Sequence, residues 1–553
     1  MKIKEVYIKN FRSLRDVRVN CDRLTVLIGP NSTGKSSFIS ALKLFFTIKG
    51  EYRENDFYGC NTSNGPIIIE VIFDDLSPND RQEFNRHLNE NNKNELVIRK
   101  ECTYPYGKGS QTYYNINNEE IKDIEDIIEK KFKFIYLPAV REASIDATEE
   151  RGSHLNELLK DTLTKKNIIN ALSNDNEYKD KYNNLINYVK QNYEPEFEQI
   201  EKKLTDIISQ YIPNTSIKLK LHLEKDVSSI IKTEAYIVEN RLELPIELTG
   251  HGAQRIYIIT ILEYLARYSS GNSADNDSNT KTLIFAIEEP ELYQHPSRQR
   301  HLASILQELT ENQVPNYNFQ IIYSTHSPFL VDITRFNQIR RFYKKPSSNE
   351  YEETCIAYAT LRDISEKLCE TEENLRSKLR LTPQMNDGFF ADKVVLVEGD
   401  EDKAIIHAIA KVKGITFDDK NIVIIPCNGK DNIRRAFVIF KALSIPVYPI
   451  WDLDQKPHDK TNKRLAKLVG KESLNDTTIE EEFACFKPTL SAILKNDIGN
   501  NFDKMVKKYK KEFAIKRNPE KNPTILQLVI EEAYKNGNRS DNIEQVINKI
   551  VNL

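Results

Sequence analysis

The sequence predicts an α/β protein with two parallel-sheet parts, the first interrupted by an inserted helical segment. Three observations predict it. An apolar run, Leu24–Ile28, leads straight into a glycine-rich loop and a helix with an apolar face. A second apolar run, Leu283–Ile287, ends in Glu288, Glu289 and Glu291, as a central parallel strand does at its C-terminal edge. Further on, Val394–Val397 opens a β-α-β-α-β succession whose strand ends carry acids.

The elements follow in order. Met1 to about Ala147 reads as strands with short helices, beginning with the alternation of Ile3, Val6 and Ile8. From Asn156 to Gln210 apolar residues recur at helical spacing among Lys, Glu and Asn. That pattern fits an inserted helical arm with one face left for a second subunit, with a plain solvated helical pair as the alternative. Strand alternation returns in Ser216–Leu223 and Glu234–Val238, and Gly271–Thr280 is a loop by composition. The expected division is a first domain in two parts (1–155 and 213–385), the arm (156–212), a second α/β domain (386–490) and a basic helical region (491–553). A length of 553 residues allows about three to four domains.

Charge narrows the partners. The 79 Lys and Arg against 82 Asp and Glu leave a net charge of -3, which excludes a globally basic coat for nucleic acid. Contact with DNA must come from a local patch, and Lys487 to Lys521 supplies one, with ten basic residues against four acids. No apolar run approaches the roughly 20 residues that cross a bilayer, so no membrane association is expected. The first residues alternate like a strand rather than a signal peptide. The seven cysteines are scattered without a Cys-x-x-Cys pair, as in a reduced cytoplasmic protein, and suggest neither zinc nor disulfides.

Gly29-Pro-Asn-Ser-Thr-Gly34-Lys35-Ser36 has the spacing of a phosphate loop, placed between a buried strand and a helix as that chemistry requires. Its backbone N–H groups and the helix N-terminus suit phosphate oxygens. Lys35 is expected to reach the outer phosphates of a nucleotide and Ser36 to ligate Mg²⁺. Glu288 is placed to hold that ion through water, Glu289 to polarise the attacking water, and His326 to sense the γ-phosphate from the tip of the strand at Phe319–Thr325. Gly250-His251-Gly252-Ala253-Gln254 opens another helix with small residues, again offering N–H groups to an anion. The expected cofactor set is Asn31, Gly34, Lys35, Ser36, Ser37, Glu288, Gly250, Gly252 and Gln254, with His251 part of the turn.

Glu398-Gly-x-x-Asp402 ends one strand of the second domain and Asp452-Leu-Asp454 ends another. Acids on neighbouring parallel strand ends can converge as hard oxygen ligands for Mg²⁺ or Mn²⁺, and a pair of such ions would serve phosphodiester cleavage. Glu481 or Glu482 is a candidate further acid. Asn428-Gly429-Lys430 ends a strand near the same edge, and Lys521 is a candidate to neutralise charge developing on the phosphate. Trp451 reads as core rather than as a base-stacking platform.

The first set, with Asn10-Phe11-Arg12 and Ser324-Thr-His-Ser327, resembles an ABC-type ATPase head of the SMC and recombination-repair branch. That likeness implies a homodimer or larger homo-oligomer, one head's signature covering the other's ATP. Two departures stand out: Glu288 replaces the usual Asp, and the glutamine loop is not marked, with Tyr136–Arg141 its neighbourhood. The second set resembles the Toprim fold. In this order the two resemble the overcoming-lysogenization-defect (OLD) nuclease family. The resemblance implies an ATP-regulated, divalent-metal-dependent endonuclease or nickase acting on double-stranded DNA. It also implies service in bacterial anti-phage defence, beside a helicase as in Gabija-type systems or a retron reverse transcriptase with its DNA. Two rivals stay open: a repair-type ATPase clamp whose Toprim domain grips DNA without cutting, and a topoisomerase or primase. The intact acidic set argues against the first.

Overall fold

The computed structural model describes residues 1–89, 92–107, 110–139, 195, 198–210, 212, 214–223, 231–239, 241–268, 281–311, 317–346, 352–379, 383–455, 458–515 and 519–553. Most of the expected arm, 156–212, lies outside them; within it, residues 198–210 are helical and bury Leu204, Ile207 and Ile208. The chain divides into two compact units, Met1–Leu27 with Gly34–Leu330, and Ile28–Thr33 with Val331–Leu553.

The first unit carries three sheets. Strands β1 (Lys2–Phe11), β2 (Leu14–Asn20), β4 (Ile67–Asp74), β5 (Asn92–Cys102) and β6 (Gln111–Tyr114) form an antiparallel sheet in the order β2-β1-β4-β5-β6. Its alternation is the one the sequence shows, with Ile3, Val6 and Ile8 fully buried. The parallel sheet runs β3 (Leu24–Ile28), β12 (Tyr317–Ser324), β11 (Lys281–Glu288), β7 (Phe132–Leu137). Both predicted apolar runs therefore lie inside this sheet, and Glu288 ends β11 opposite Ser324 of β12. The third sheet is β10 (Leu242–Pro245), β9 (Ile231–Glu239) and β8 (Thr215–Leu223), ahead of helix α2 (His251–Tyr268).

Two buried polar side chains lock this unit. Helix α1 (Lys35–Phe46) buries Phe38, Ile39, Leu42, Phe45 and Phe46 on one side. The wholly buried Lys100 donates to the carbonyls of Leu44 and Thr47 at its C-terminus, at 2.6 and 2.9 Å. These are orphan acceptors at the negative end of the helix dipole, so the ammonium answers both needs. Burial pulls the Lys100 value down to about 8. Gln320, also fully buried, accepts from Ile3 N–H at 2.7 Å and donates to Ile3 and Asp22 carbonyls at 2.7 and 3.0 Å.

In the second unit a five-stranded sheet has the order β16 (Ile422–Pro426), β15 (Lys393–Val397), β17 (Val447–Asp452), β19 (Ala484–Phe486), β18 (Thr478–Ile479). All pairs but β18·β19 are parallel, which puts the ends of β15, β16 and β17 on one edge as predicted. Helices α4 (Asp400–Val412) and α5 (Lys430–Ala442) make the crossovers. The C-terminal segment 491–553 does not stand apart. Its helices α8 (Asn501–Glu512), α9 (Pro523–Lys535) and α10 (Asp541–Asn552) share one core with β15, β17 and α4, through Phe502, Val529 and Ile547 among others. The hairpin β13 (Ile339–Pro346) and β14 (Glu352–Ala357) also belongs to this unit. Among the described residues no helix is long and apolar enough to cross a membrane.

Truncating Gln320→Ala strips the buried Ile3 N–H and carbonyl of their side-chain partner, while the Asp22 carbonyl keeps the Thr25 hydroxyl at 3.2 Å. Urea unfolding should show a loss of about 2 kcal/mol, at about 1 kcal/mol or more per stranded group. An unchanged midpoint would mean that the amide is not what joins β1 to β12.

Candidate nucleotide and metal sites

The phosphate loop owes its course to two glycines. Gly29 has φ 135°, and a Cβ there would lie 2.0 Å from the Phe342 carbonyl oxygen of β13. Gly34 has φ 105°, and a Cβ would meet the Leu14 side chain at 2.5 Å. Asn31 is exposed in the loop, beside Ser32 with φ 61°. Lys35, the first residue of α1, is buried; its value falls to about 8 through burial, opposed by Glu289 and Glu291. The Glu288 carboxyl is also buried, which raises its value, and it accepts hydrogen bonds from Ala139 N–H, Ser36 and Tyr136. Ser36 and Glu288, which reasoning on the sequence assigned to one ion, are thus in direct contact. Tyr136 reaches this carboxylate from the neighbourhood expected for the glutamine loop; residues 140–141 lie outside the described set. Ser37 Oγ stands 2.9 Å from Ser13 Oγ, and Arg12 donates to Ser40 Oγ at 2.9 Å.

Glu291 has a role that its sequence position does not disclose. Its Oε1 accepts the His326 N–H at 2.7 Å, so it fixes the turn after β12. His326 itself is lowered by partial burial and by Lys35. The motif Glu-Glu-Pro-Glu was the available signal for Glu291, but only the fold shows which of its acids faces which group. Glu289 sits at φ 43°, with its N–H given to Ser324. At the second glycine motif, Gly250 is exposed at the start of α2. Gln254 is turned inward, its amide donating to the Ile246 and Thr249 carbonyls at 3.1 Å each, so it braces the turn. Gly252 gives its carbonyl to Gln294 Nε2 at 3.2 Å.

In the second unit, Glu398, Asp402 and Asp452 come together at the ends of β15 and β17. Backbone N–H groups fix each one. Glu398 Oε1 accepts from Asp452 at 2.8 Å, Asp402 Oδ2 from Gly399 at 3.1 Å, and Asp452 Oδ1 from Leu490 at 2.8 Å. Burial, with the neighbouring acids adding to it, pushes Asp452 up to about 8 and Asp402 up to about 7, and raises Glu398. Asp454 follows at φ 52°, its N–H on the Pro488 carbonyl at 2.8 Å, and its carboxylate meets Lys430 at 2.5 Å. Leu453 between them is held by Phe486 on its N–H at 2.7 Å and by buried Asn462 Nδ2 on its carbonyl at 3.1 Å. Asn462 carries no sequence signal of this role beyond its place nine residues downstream.

The oxygen donors suit a hard divalent cation, and like carboxyls raised by burial beside one another lack the opposite charge such an ion would supply. Among the described residues, however, no three His, Cys, Asp or Glu side chains are arranged to enclose an ion. Two expected members stand elsewhere. Glu482 is exposed and pairs at 3.7 Å with Lys441, in the last turn of α5. It precedes β19, which runs parallel to β17, so it lies toward the end of the sheet opposite Asp452. Glu481 pairs with Lys549 of α10. Lys521 lies at the margin, exposed, 3.8 Å from Glu401 beside Asp402. Trp451 is buried and stacked on Phe483, as expected of core.

A family model of the AAA ATPase domain matches residues 1–132 and 69–331, and a model of the overcoming lysogenization defect protein-like TOPRIM domain matches 389–454. The chain belongs to this ATPase family, joined to an OLD-like Toprim domain. It is 23% identical over 538 residues to the OLD nuclease of Thermus scotoductus, covering 90% of this chain and 92% of that one. With the Old nuclease of Escherichia phage P2 it shares 26% over 492 residues, 82% of this chain and 77% of the other. With the endonuclease GajA of Bacillus cereus strain VD045 it shares 23% over 440 residues, 74% and 68%. The OLD-type chain is thus an ATPase coupled to a nuclease domain, and both ATP and a divalent metal belong to that chemistry.

An acid held above its unfolded value keeps its proton more tightly when folded, so stability falls as pH rises from about 4 to about 8. Asp452→Asn keeps an oxygen for the Leu490 N–H and removes that cost. In chelator at pH 8 the variant should melt about 3 °C higher or more, corresponding to about 1 kcal/mol, and at pH 4 the two should nearly coincide. Equal melting at pH 8 would show that Asp452 carries no such burden.

Proposed function

We propose that this chain is an ATP-regulated, divalent-metal-dependent DNA endonuclease or nickase, with Mg²⁺ or Mn²⁺ at the Toprim site. The observation that carries the reading is the fixing of Glu398, Asp402 and Asp452 by backbone N–H groups at one sheet edge, with too few cations beside them. A divalent cation bound there supplies Lewis acidity and a nucleophilic water for phosphodiester hydrolysis. Glu398 and Asp452 would hold it from adjacent strand ends, Asp402 from the first turn of α4, and Asp454 from beyond β17. Asn462 and the Leu490 N–H keep the Asp-x-Asp segment in place, so the ligand oxygens are oriented by backbone rather than by flexible side chains.

Double-stranded DNA would be bound through its phosphates. Helix α8 buries Phe502, Met505 and Val506 and leaves Lys504, Lys507, Lys510 and Lys511 exposed, a face for sequence-independent, salt-sensitive contact. ATP at the phosphate loop, with Mg²⁺ on Ser36 and Glu288, would set the arrangement of two heads in a homodimer or larger oligomer. A cytoplasmic role in anti-phage defence, with a helicase or a retron reverse transcriptase and its DNA as partner, rests on the family resemblance.

Supercoiled plasmid incubated with Mg²⁺ or Mn²⁺, with and without ATP, tests this. Glu398→Ala should lower cutting by more than about 100-fold, since even partners that merely orient a ligand cost 10–100-fold, and leave ATP turnover intact. Lys35→Ala should abolish ATP turnover. Cutting by Glu398→Ala at the wild-type rate would refute the site.

A further inference from the structure

The acidic edge holds one lysine with an unusual position. Lys430 is the first residue of α5, where the positive end of the helix dipole disfavours a cation. It is reached through a turn with Asn428 at φ 56° and Gly429 at φ 122°. That turn is tied to β15 by Gly429 N–H on the Glu398 carbonyl at 3.2 Å and Cys427 N–H on the Val397 carbonyl at 2.9 Å. The side chain is 13% exposed, and its ammonium sits 2.5 Å from Asp454 Oδ2 and 3.8 Å from Glu398 Oε1. Asp454, by contrast, is 58% exposed. A lysine that gives up water to meet an exposed aspartate gains little stability by it, so helix formation and ion pairing do not account for the placement.

Among the described residues Lys430 is the one cation within 4.0 Å of Glu398, Asp402, Asp452 or Asp454. It draws Asp454, the fourth acid, to itself while the backbone fixes the other three. We propose that Lys430 is the resident counter-cation of this site: it holds Asp454 and Glu398 while no divalent ion is bound, and must release Asp454 before the ligand set closes. The site's affinity for metal is then set by a competition, with the Lys430-bound arrangement as the resting state. This rests on the metal-dependent reading above. If the arrangement with Lys430 withdrawn is about 10% populated or less, apparent affinity is reduced about tenfold or more.

The test is Mn²⁺ binding to the full-length protein, followed by the electron-paramagnetic-resonance signal of free ion and by the thermal shift on adding MnCl₂. Lys430→Met should bind Mn²⁺ about tenfold tighter or more and show a larger thermal shift than wild type. Lys430→Arg, which keeps the charge, should stay within about threefold of wild type. Lys521→Met deletes a cation from beside Glu401 but touches none of the four acids, and should also stay within about threefold; an equal gain there would overturn direct competition in favour of general charge. Glu398→Ala should lose Mn²⁺ binding. If wild type binds Mn²⁺ through Glu398 while Lys430→Met and Lys430→Gln bind it no tighter, the counter-cation role fails and the metal site stands. If Glu398→Ala binds as wild type does, the metal reading itself fails.

Discussion

Crowded negative charge at one sheet edge is the constraint on which the second unit depends. Glu398, Asp402 and Asp452 are brought together with Lys430 beside Glu398 alone, and burial raises all three acids. A fold seeking stability alone would not gather them. The cost is met by geometry: each acid takes a backbone N–H from a strand end, a helix start or a loop that parallel β-α-β connections necessarily deliver to the same edge. The carboxylates are therefore oriented before any ligand arrives, which is what makes an electrostatically unfavourable cluster useful.

The nucleotide site obeys a related economy. Lys35 is buried with its value lowered, and the partners that act on it are acids from the end of β11. Glu291 faces His326 rather than solvent, so the strand tips of β11 and β12 form a linked set rather than independent groups. Lys100 plays the matching role at the far end of α1, where its ammonium meets the carbonyls the helix leaves unpaired. Lysines thus stand at both ends of this helix, Lys35 buried near Glu289 and Glu291 at its start and Lys100 on the unpaired carbonyls at its end.

The C-terminal helices show how a charged surface and a core coexist in one segment. Lysines at 504, 507, 510 and 511 face outward while Phe502, Met505 and Val506 join the hydrophobic core shared with β15 and α4. Lys508 is held by Glu532 of α9 at 2.7 Å and so is less available to a phosphate than its neighbours.

Motif order, strand polarity and the acids at strand ends were determined by the sequence, because buried parallel strands are continuous apolar runs and their ends must carry whatever the edge requires. The contact of Ser36 with Glu288 and the meeting of Glu398 with Asp452 followed those rules. What the fold alone decided were relations between residues far apart in the chain. Glu482, close to the Asp-x-Asp motif in sequence, falls toward the other end of the sheet because β19 runs parallel to β17, and residues before a parallel strand cannot share the edge of residues after it. The inward turn of Gln254, the hold of Asn462 on Leu453, the packing of 491–553 onto the Toprim sheet and the pairing of Lys430 with Asp454 are likewise tertiary. Local periodicity specifies which face of an element is buried, but which polar group meets which across that burial depends on the three-dimensional register, and no local pattern encodes it.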